Sequence, residues 1–160
     1  MKAEIGAQHA WLHRLAGDWR FEMAEMDGAP QPPGTMPGTE HVRLLGEAWG
    51  LLEGRGAGPD GAPTQHQMTL GYDPARGAFV GSWIGSMMNH HWVYRGTLGD
   101  DGRSLLLDSD GPSFDQPGQI VRYRDIIEVV SSDERLLHGN LLRPDGQWHR
   151  FMTMRYTRIR

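Results

Sequence analysis

The chain has 160 residues, enough for one domain with a sizeable core, and its 22 scattered Gly and 10 Pro exclude a collagen repeat while indicating many turns. A net charge of −4 offers no electrostatic footprint for nucleic acid or an anionic membrane. The absence of Cys excludes disulfides, Cys-ligated zinc, iron–sulfur clusters and a thiol nucleophile, whereas eight His leave imidazole chemistry open.

The N-terminal segment predicts a short helix over residues 4–16, which Gly17 would end. Its apolar residues recur at spacings near three and four: Ile5, Trp11, Leu12 and Leu15. The segment lacks the apolar core of a signal peptide, and no apolar run in the chain approaches the ~18 residues of a membrane span. We therefore expect a cytoplasmic protein.

After this helix the hydrophobic period changes to two. Trp19, Phe21 and Met23 alternate with more polar residues, which predicts a half-buried strand of about eight residues. Residues 28–38 contain four Pro and three Gly and predict a long exposed loop. Further strand-like runs, separated by turn residues, cover residues 40–46, 48–54, 65–72, 78–84, 91–98, 104–109, 120–130, 135–142 and 148–159.

Together these elements predict a mainly β fold. About ten strands with tight turns and one short leading helix are typical of a single antiparallel up-and-down β-barrel, which would span residues 1–160 as one domain. Closure of the sheet would remove exposed strand edges. The lack of helix–strand alternation argues against a parallel α/β fold.

Several segments carry a resemblance to known families. Gly17-Asp18-Trp19, directly after a short helix, resembles the start of calycin barrels such as lipocalins. A closer resemblance comes from His9 to Trp19, Leu70-Gly71-Tyr72-Asp73-Pro74, residues 79–87 and Tyr156 to Arg158. In this order and spacing they resemble DUF1579, a bacterial family of unknown function assigned to calycin-like β-barrels.

The resemblance to DUF1579 covers the chain from about His9 to Arg158. It implies a calycin-like barrel but no established activity and no mechanism. Where the family commonly has an Asp before a Ser-Met pair, this chain has Gly85. Any role tied to that acid is therefore in doubt here.

Candidate lumen residues come from strands that carry polar and aromatic side chains together. Adjacent residues of a strand point to opposite faces, so we expect the interior to contain either His90 together with Trp92 and Tyr94, or else His91. On another strand, His66 shares a face with Met68 and could line a pocket.

Two further strands mix charged and apolar side chains. Arg124 and Glu128 share a face, which favours an inward pair in a wet lumen or, equally, a solvated outer face. Met152 lies on the last strand, and Met is frequent at adaptable binding surfaces. The predicted ligand-binding residues are His66, Met68, Trp83, Met87, His91, Trp92, Tyr94, Arg124, Glu128, His149 and Met152.

The leading functional hypothesis is a barrel that binds a small hydrophobic or aromatic molecule in its lumen. The alternative is an isomerase, cyclase or hydrolase that uses His90 or His91 for acid–base chemistry, with or without a His-bound metal or haem. No motif indicates a cofactor, and no metal ligands are predicted. We expect neither nucleic acid nor a membrane as a partner, and a homodimer is an open alternative.

Overall fold

A computed structural model describes all residues, 1–160, as one helix and eleven β-strands. The helix, α1, spans Ala7–His13. The strands are β1 (Gly17–Met26), β2 (Ala29–Pro30), β3 (Gly38–Leu45), β4 (Trp49–Ala57), β5 (Pro63–Asp73), β6 (Ala78–Gly85), β7 (Trp92–Leu98), β8 (Ser104–Pro112), β9 (Ile120–Val129), β10 (Glu134–Leu142) and β11 (Trp148–Arg158). No helix of this chain has the length and apolar character needed to cross a membrane.

The strands close into an antiparallel barrel. β1 pairs with β3, every later strand pairs with the next one along the chain, and β11 returns to pair with β1. The ring therefore contains ten strands, while the two-residue β2 pairs only with the end of β1. The predicted mainly β, up-and-down barrel of about ten strands with one short helix is confirmed.

The core fills the interior because inward positions alternate with outward ones along each strand. On β1 the buried residues are Trp19, Phe21 and Met23, as the sequence predicts. Deep in the barrel, Leu70, Leu105 and Leu107 have no exposed surface. Much of the lumen is thus packed with side chains.

The helix is shorter than the predicted 4–16. It begins after Gly6, whose N–H donates to His9 Nδ1 at 3.1 Å. At its other end the backbone N–H groups of Arg14, Leu15 and Ala16 bond three residues back, to Trp11, Leu12 and His13. This tighter turn ends the α-helix while still carrying Leu15 into the core.

The helix and the chain terminus close one end of the barrel. Trp11 Nε1 donates to the Gly102 carbonyl at 3.0 Å, which ties α1 to the β7–β8 turn. Trp19 Nε1 donates to the Leu15 carbonyl at 2.8 Å, and the Arg158 guanidinium lies 4.2 Å from the Trp19 ring. No helix lies over the opposite end, which carries the β1–β3 connection and which we call the open end.

The predicted loop over residues 28–38 is only partly exposed. Its first residues form β2, which pairs with Glu25 and Met26. Asp27 and Gly28, with φ of 48° and 78°, form the turn that reverses the chain between β1 and β2. Met36 packs against the core. The Pro-rich segment therefore covers the open end of the barrel.

Candidate functional site

Several predicted ligand-binding residues face the lumen. Cross-strand partners share a face, and the pairs Leu52–Met68, Met68–Trp83 and Trp83–Trp92 form one row across four strands. His66 and Tyr94 lie on the same inner surface of β5 and β7. Met152 packs against the core from β11.

Of the two orientations left open for Arg124 and Glu128, the inward one is wrong, and so is their prediction as ligand-binding residues of the lumen. Both lie on the outer face, because Tyr123, Asp125 and Ile127 occupy the inner positions of β9. Two hydrogen bonds, of 2.7 and 3.0 Å, join Arg124 to Asp108, and its guanidinium lies 4.4 Å from the Trp148 ring. Glu128 instead accepts a hydrogen bond of 2.8 Å from His138, also on the outer face.

Other predicted residues lie at the open rim and not inside the lumen. Met87, His90 and His91 belong to the connection between β6 and β7, so strand alternation does not apply to them. His90 Nε2 lies 2.9 Å from the Asp110 carbonyl, while His91 and Met87 are exposed. His149 Nε2 lies 3.1 Å from Asp27 Oδ1 at the same rim.

The lumen contains a polar cluster of which the sequence singled out only Tyr94. Three consecutive strands carry Tyr94, Ser109 and Asp125, which we call the lumen cluster. Tyr94 Oη donates to Asp125 Oδ2 at 2.6 Å. Ser109 follows Asp108, the cross-strand partner of Arg95, and so lies beside Tyr94; its hydroxyl is buried without a hydrogen-bond partner.

The electrostatics of the lumen cluster follow from its burial. Burial raises the pKa of Asp125 to about 6, although the hydrogen bond from Tyr94 acts in the opposite direction. Burial, and then the Asp125 charge, raise the pKa of Tyr94 well above its ordinary value. The pair therefore presents a tyrosine that stays protonated beside a carboxyl that titrates near neutrality.

Inward-facing side chains beside the lumen cluster keep accessible surface, which leaves space next to them. Asp125 points inward yet is only half-buried, and the same holds for Trp83, Leu137 and Met152. Gly139, the cross-strand partner of both Asp125 and Met152, adds no side chain to this row. A small molecule in this space would meet an aromatic and aliphatic wall with one polar side.

An aromatic cluster stands at the open end. The rings of Trp92 and Phe114 each meet Tyr123 edge-on, with centroids 5.0 and 5.4 Å apart. Phe114 also contacts Phe151 at 5.8 Å and is 62% exposed. These rings form an apolar rim above the lumen cluster.

A second buried network combines Glu40, His66 and Arg135. Glu40 accepts hydrogen bonds from Arg135 and from His66 Nε2, the latter at 2.8 Å. Burial acts to raise the pKa of Glu40, but Arg135 and His66 outweigh it, so this pKa lies below its ordinary value. The Arg135 guanidinium also stacks 3.9 Å from the Tyr156 ring.

A large concavity lies outside the lumen. It has a volume of about 860 Å³ and crosses the outer face of β1 and β3 to β6. Mostly polar side chains line it, including His41, whose Nδ1 lies 2.6 Å from Asp18 Oδ1. We call it the outer groove. No group of three or more His, Asp or Glu side chains lies close enough together to hold a metal ion.

We expect Asp125→Asn to stabilise the protein at neutral pH. The folded carboxyl has a pKa of about 6 against an ordinary 3.8, so the native state binds this proton more tightly than the unfolded chain. The contribution of this carboxyl to the free energy of unfolding is most favourable below about pH 4. It declines, by up to about 3 kcal/mol, as the pH rises through about 6. Asn cannot ionise, and its amide oxygen still accepts the hydrogen bond from Tyr94. This decline of stability with rising pH should therefore disappear in the variant.

Urea denaturation of wild type and Asp125→Asn across this pH range measures the effect. Asp110→Asn, at an exposed carboxylate paired with Arg122 on the outer face, is the matched control and should leave the decline in place. A wild-type free energy of unfolding with the same pH dependence as that of Asp125→Asn would contradict the expectation.

One protein family and one solved structure are similar to this chain. The sequence model of a family described as "Protein of unknown function (DUF1579)" matches residues 4–158. No curated protein matches the chain. Among solved structures, the chain is similar to a redesigned β-barrel, with 15% identity and a TM-score of 0.48 over 93% of this chain and 95% of the other.

Proposed function

The chain belongs to the DUF1579 family of proteins of unknown function, and we propose that it binds a small, largely apolar ring-containing molecule in its lumen. The ligand would carry at least one hydrogen-bond donor. Its site is the space bordered by the lumen cluster and by the half-buried Trp83, Leu137 and Met152.

The unpartnered Ser109 hydroxyl supports this proposal most directly. A buried polar atom without a partner is unfavourable by about 1–3 kcal/mol, so it calls for an explanation such as a ligand or an ordered water. It lies beside the Tyr94–Asp125 pair, where Asp125 keeps accessible surface inside the barrel. A ligand that reaches this point would satisfy the hydroxyl.

The chemistry of the walls selects the ligand class. Above about pH 6 the Asp125 carboxylate can only accept hydrogen bonds, so it favours a hydroxyl or amine. Trp83 offers a flat ring face, and Met152 a flexible thioether that adapts to ring shape. Pockets with apolar walls and few polar groups are typical small-molecule sites.

We expect 2-naphthol to bind wild-type protein at least about tenfold more tightly than 2-methoxynaphthalene. The two compounds share a ring system, but only the naphthol can donate to Asp125. In Asp125→Asn the amide oxygen accepts from Tyr94, so the group that faces the ligand is the amide N–H, which can only donate. The preference for 2-naphthol over 2-methoxynaphthalene should therefore be lost. Titration of tryptophan fluorescence at about pH 8 measures both affinities.

Two variants separate the lumen from the outer surface. Asp110→Asn removes an exposed carboxylate and should leave the naphthol preference unchanged. His41→Phe alters the outer groove and should also leave it unchanged. The proposal fails if naphthol does not bind, if both compounds bind equally, or if His41→Phe abolishes binding.

A second candidate function is proton transfer in the same lumen. A carboxyl with a pKa of about 6 exists in both protonation states near neutral pH, which suits a general acid–base group. For this candidate function we propose Asp125 as the group that carries the proton, in place of the rim residues His90 and His91. Faster exchange of the α-protons of 2-tetralone in D2O, lost in Asp125→Asn, would favour an enzyme over a binding protein.

The predicted cytoplasmic location and the alternative of a homodimer stay predictions. The lumen site requires neither of them. Partner expectations are likewise unchanged: the proposal involves a small molecule, with no role for nucleic acid or a membrane.

A further inference from the structure

His66 is a second polar group of the lumen, and its surroundings define its hydrogen-bonding role. Its Nε2 lies 2.8 Å from Glu40 Oε2. Glu40 is also bound by Arg135 and keeps its charge, because Arg135 and His66 hold its pKa below the ordinary value against the effect of burial. An ionised carboxylate can only accept, so whenever the imidazole is neutral its proton is on Nε2.

The other ring nitrogen is consequently an acceptor. His66 Nδ1 has no hydrogen-bond partner within the protein, and 14% of the side chain is accessible. Because the side chain keeps accessible surface, a hydrogen-bond donor can reach this nitrogen. Within the lumen, such a donor has to come from water or from a ligand.

The ring is held in place from several sides. Trp83 stacks against it with centroids 5.8 Å apart, and Phe21 lies 5.9 Å away. Gly54 lies directly beneath, where a Cβ atom would come within 2.1 Å of His66 Cε1. The absence of a side chain at Gly54 is therefore what allows the imidazole to reach Glu40 across β4.

His66 and Asp125 border the same interior from different sides. They belong to β5 and β9, which are separated by three strands in a ring of ten and so stand almost opposite each other. Tyr156 is influenced by the regions of both His66 and Asp125. Burial, and then the charges of Glu40 and Asp125, raise the pKa of Tyr156. Both carboxylates thus act on one phenol inside the barrel.

We infer that the lumen ligand carries two hydrogen-bond donors at opposite ends of a flat apolar body, one for Asp125 and one for His66 Nδ1. This inference rests on the proposed binding function and specifies its ligand. Trp83 would lie beside the body of such a molecule, since it stacks on His66 and is half-buried. Glu40 and Arg135 act as positioning residues that present the Nδ1 acceptor.

The test compares 2,6-dihydroxynaphthalene, which has donors at both ends, with 2-naphthol, which has one. Wild-type protein should bind the diol at least about tenfold more tightly, beyond the roughly twofold statistical advantage of two equivalent hydroxyls. 2,3-Dihydroxynaphthalene, with both donors at one end, should gain less than about threefold over 2-naphthol. Tryptophan fluorescence titration at about pH 8 gives all three affinities.

Two variants remove the acceptor in different ways. His66→Phe deletes it while Glu40 keeps its bond to Arg135, and Gly54→Ala displaces the ring without deleting it. Both should reduce the advantage of the 2,6-diol over 2-naphthol to about twofold. His41→Phe, at an exposed His–Asp pair of the outer groove, is the matched control and should preserve the full advantage.

The outcomes distinguish this inference from the function on which it rests. If 2-naphthol fails to bind wild-type protein, the binding function itself is overturned. If 2-naphthol binds but the 2,6-diol gains no more than twofold, only the two-donor inference is overturned. An advantage that survives in both His66→Phe and Gly54→Ala also overturns it, because the second donor would then bind elsewhere.

Discussion

Replacing Arg135 with Met is expected to lower the free energy of unfolding by about 3–5 kcal/mol. Arg135 is 2% exposed and holds the equally buried Glu40, so the substitution leaves a carboxylate inside the barrel with only His66 as a partner. It also removes the guanidinium that stacks on Tyr156 at 3.9 Å and on Trp19 at 4.7 Å. Urea denaturation at neutral pH measures the loss.

Two further variants show whether the uncompensated charge is the cause. The double variant Glu40→Gln/Arg135→Met should recover most of the lost stability, because no buried charge is left alone. Arg124→Met breaks a half-buried ion pair on the outer face and should lower stability by about 1 kcal/mol or less. Equal losses in Arg135→Met and Arg124→Met would contradict this account.

The contribution of Glu40 to the free energy of unfolding should change with pH in opposite directions in Arg135→Met and in wild type. In wild type the pKa of Glu40 is below its ordinary value, so its stabilisation is present above that value and is lost as the pH falls through the folded pKa. Without Arg135, burial acts to raise the pKa of Glu40 and only the contacts with His66 oppose it. The variant should therefore become more stable as the pH falls from neutrality.

Trp19→Ala is expected to reduce stability by about 3–5 kcal/mol. Trp19 is 1% exposed, and its indole N–H donates to the Leu15 carbonyl at 2.8 Å. Two guanidinium groups stack near it, those of Arg158 at 4.2 Å and Arg135 at 4.7 Å. The substitution thus creates a cavity at the closed end and removes the surface against which both cations rest. Thermal and urea denaturation measure the loss.

Trp148→Ala is the matched control for Trp19→Ala. Trp148 also carries a stacked guanidinium, that of Arg124 at 4.4 Å, but it is 38% exposed on the outer face. Its loss should reduce stability by about 1 kcal/mol or less, the usual value for an exposed cation–π contact. Similar losses in the two variants would show that the cation contacts, and not core packing, determine the result.

The strands were predictable because their signals are local. Alternation at Trp19, Phe21 and Met23 and turn sequences such as Pro144-Asp145-Gly146 depend on residues a few positions apart. The end of α1 was not predictable to the residue. The last turn at Leu15 is set by packing against the barrel end, which periodicity does not report.

The direction in which mixed strands face was less predictable. Both faces of β9 carry charged and apolar residues, so Arg124 with Glu128 looked as suitable for the interior as Tyr123 with Asp125. The pairing of Asp125 with Leu107 and of Ile127 with Leu105 decides it. The run Tyr123, Ile127 and Val129 was the available signal for an inward Asp125.

By itself, the sequence determined the strand order, the mainly β barrel, the family and the absence of thiol chemistry. These depend on composition, on period-two alternation and on short motifs, all of which are carried by neighbouring residues. Only the tertiary structure decided which polar groups meet. Glu40 and Arg135 are 95 positions apart, and Tyr94 and Asp125 are 31 apart, so closure and strand register alone bring them into contact.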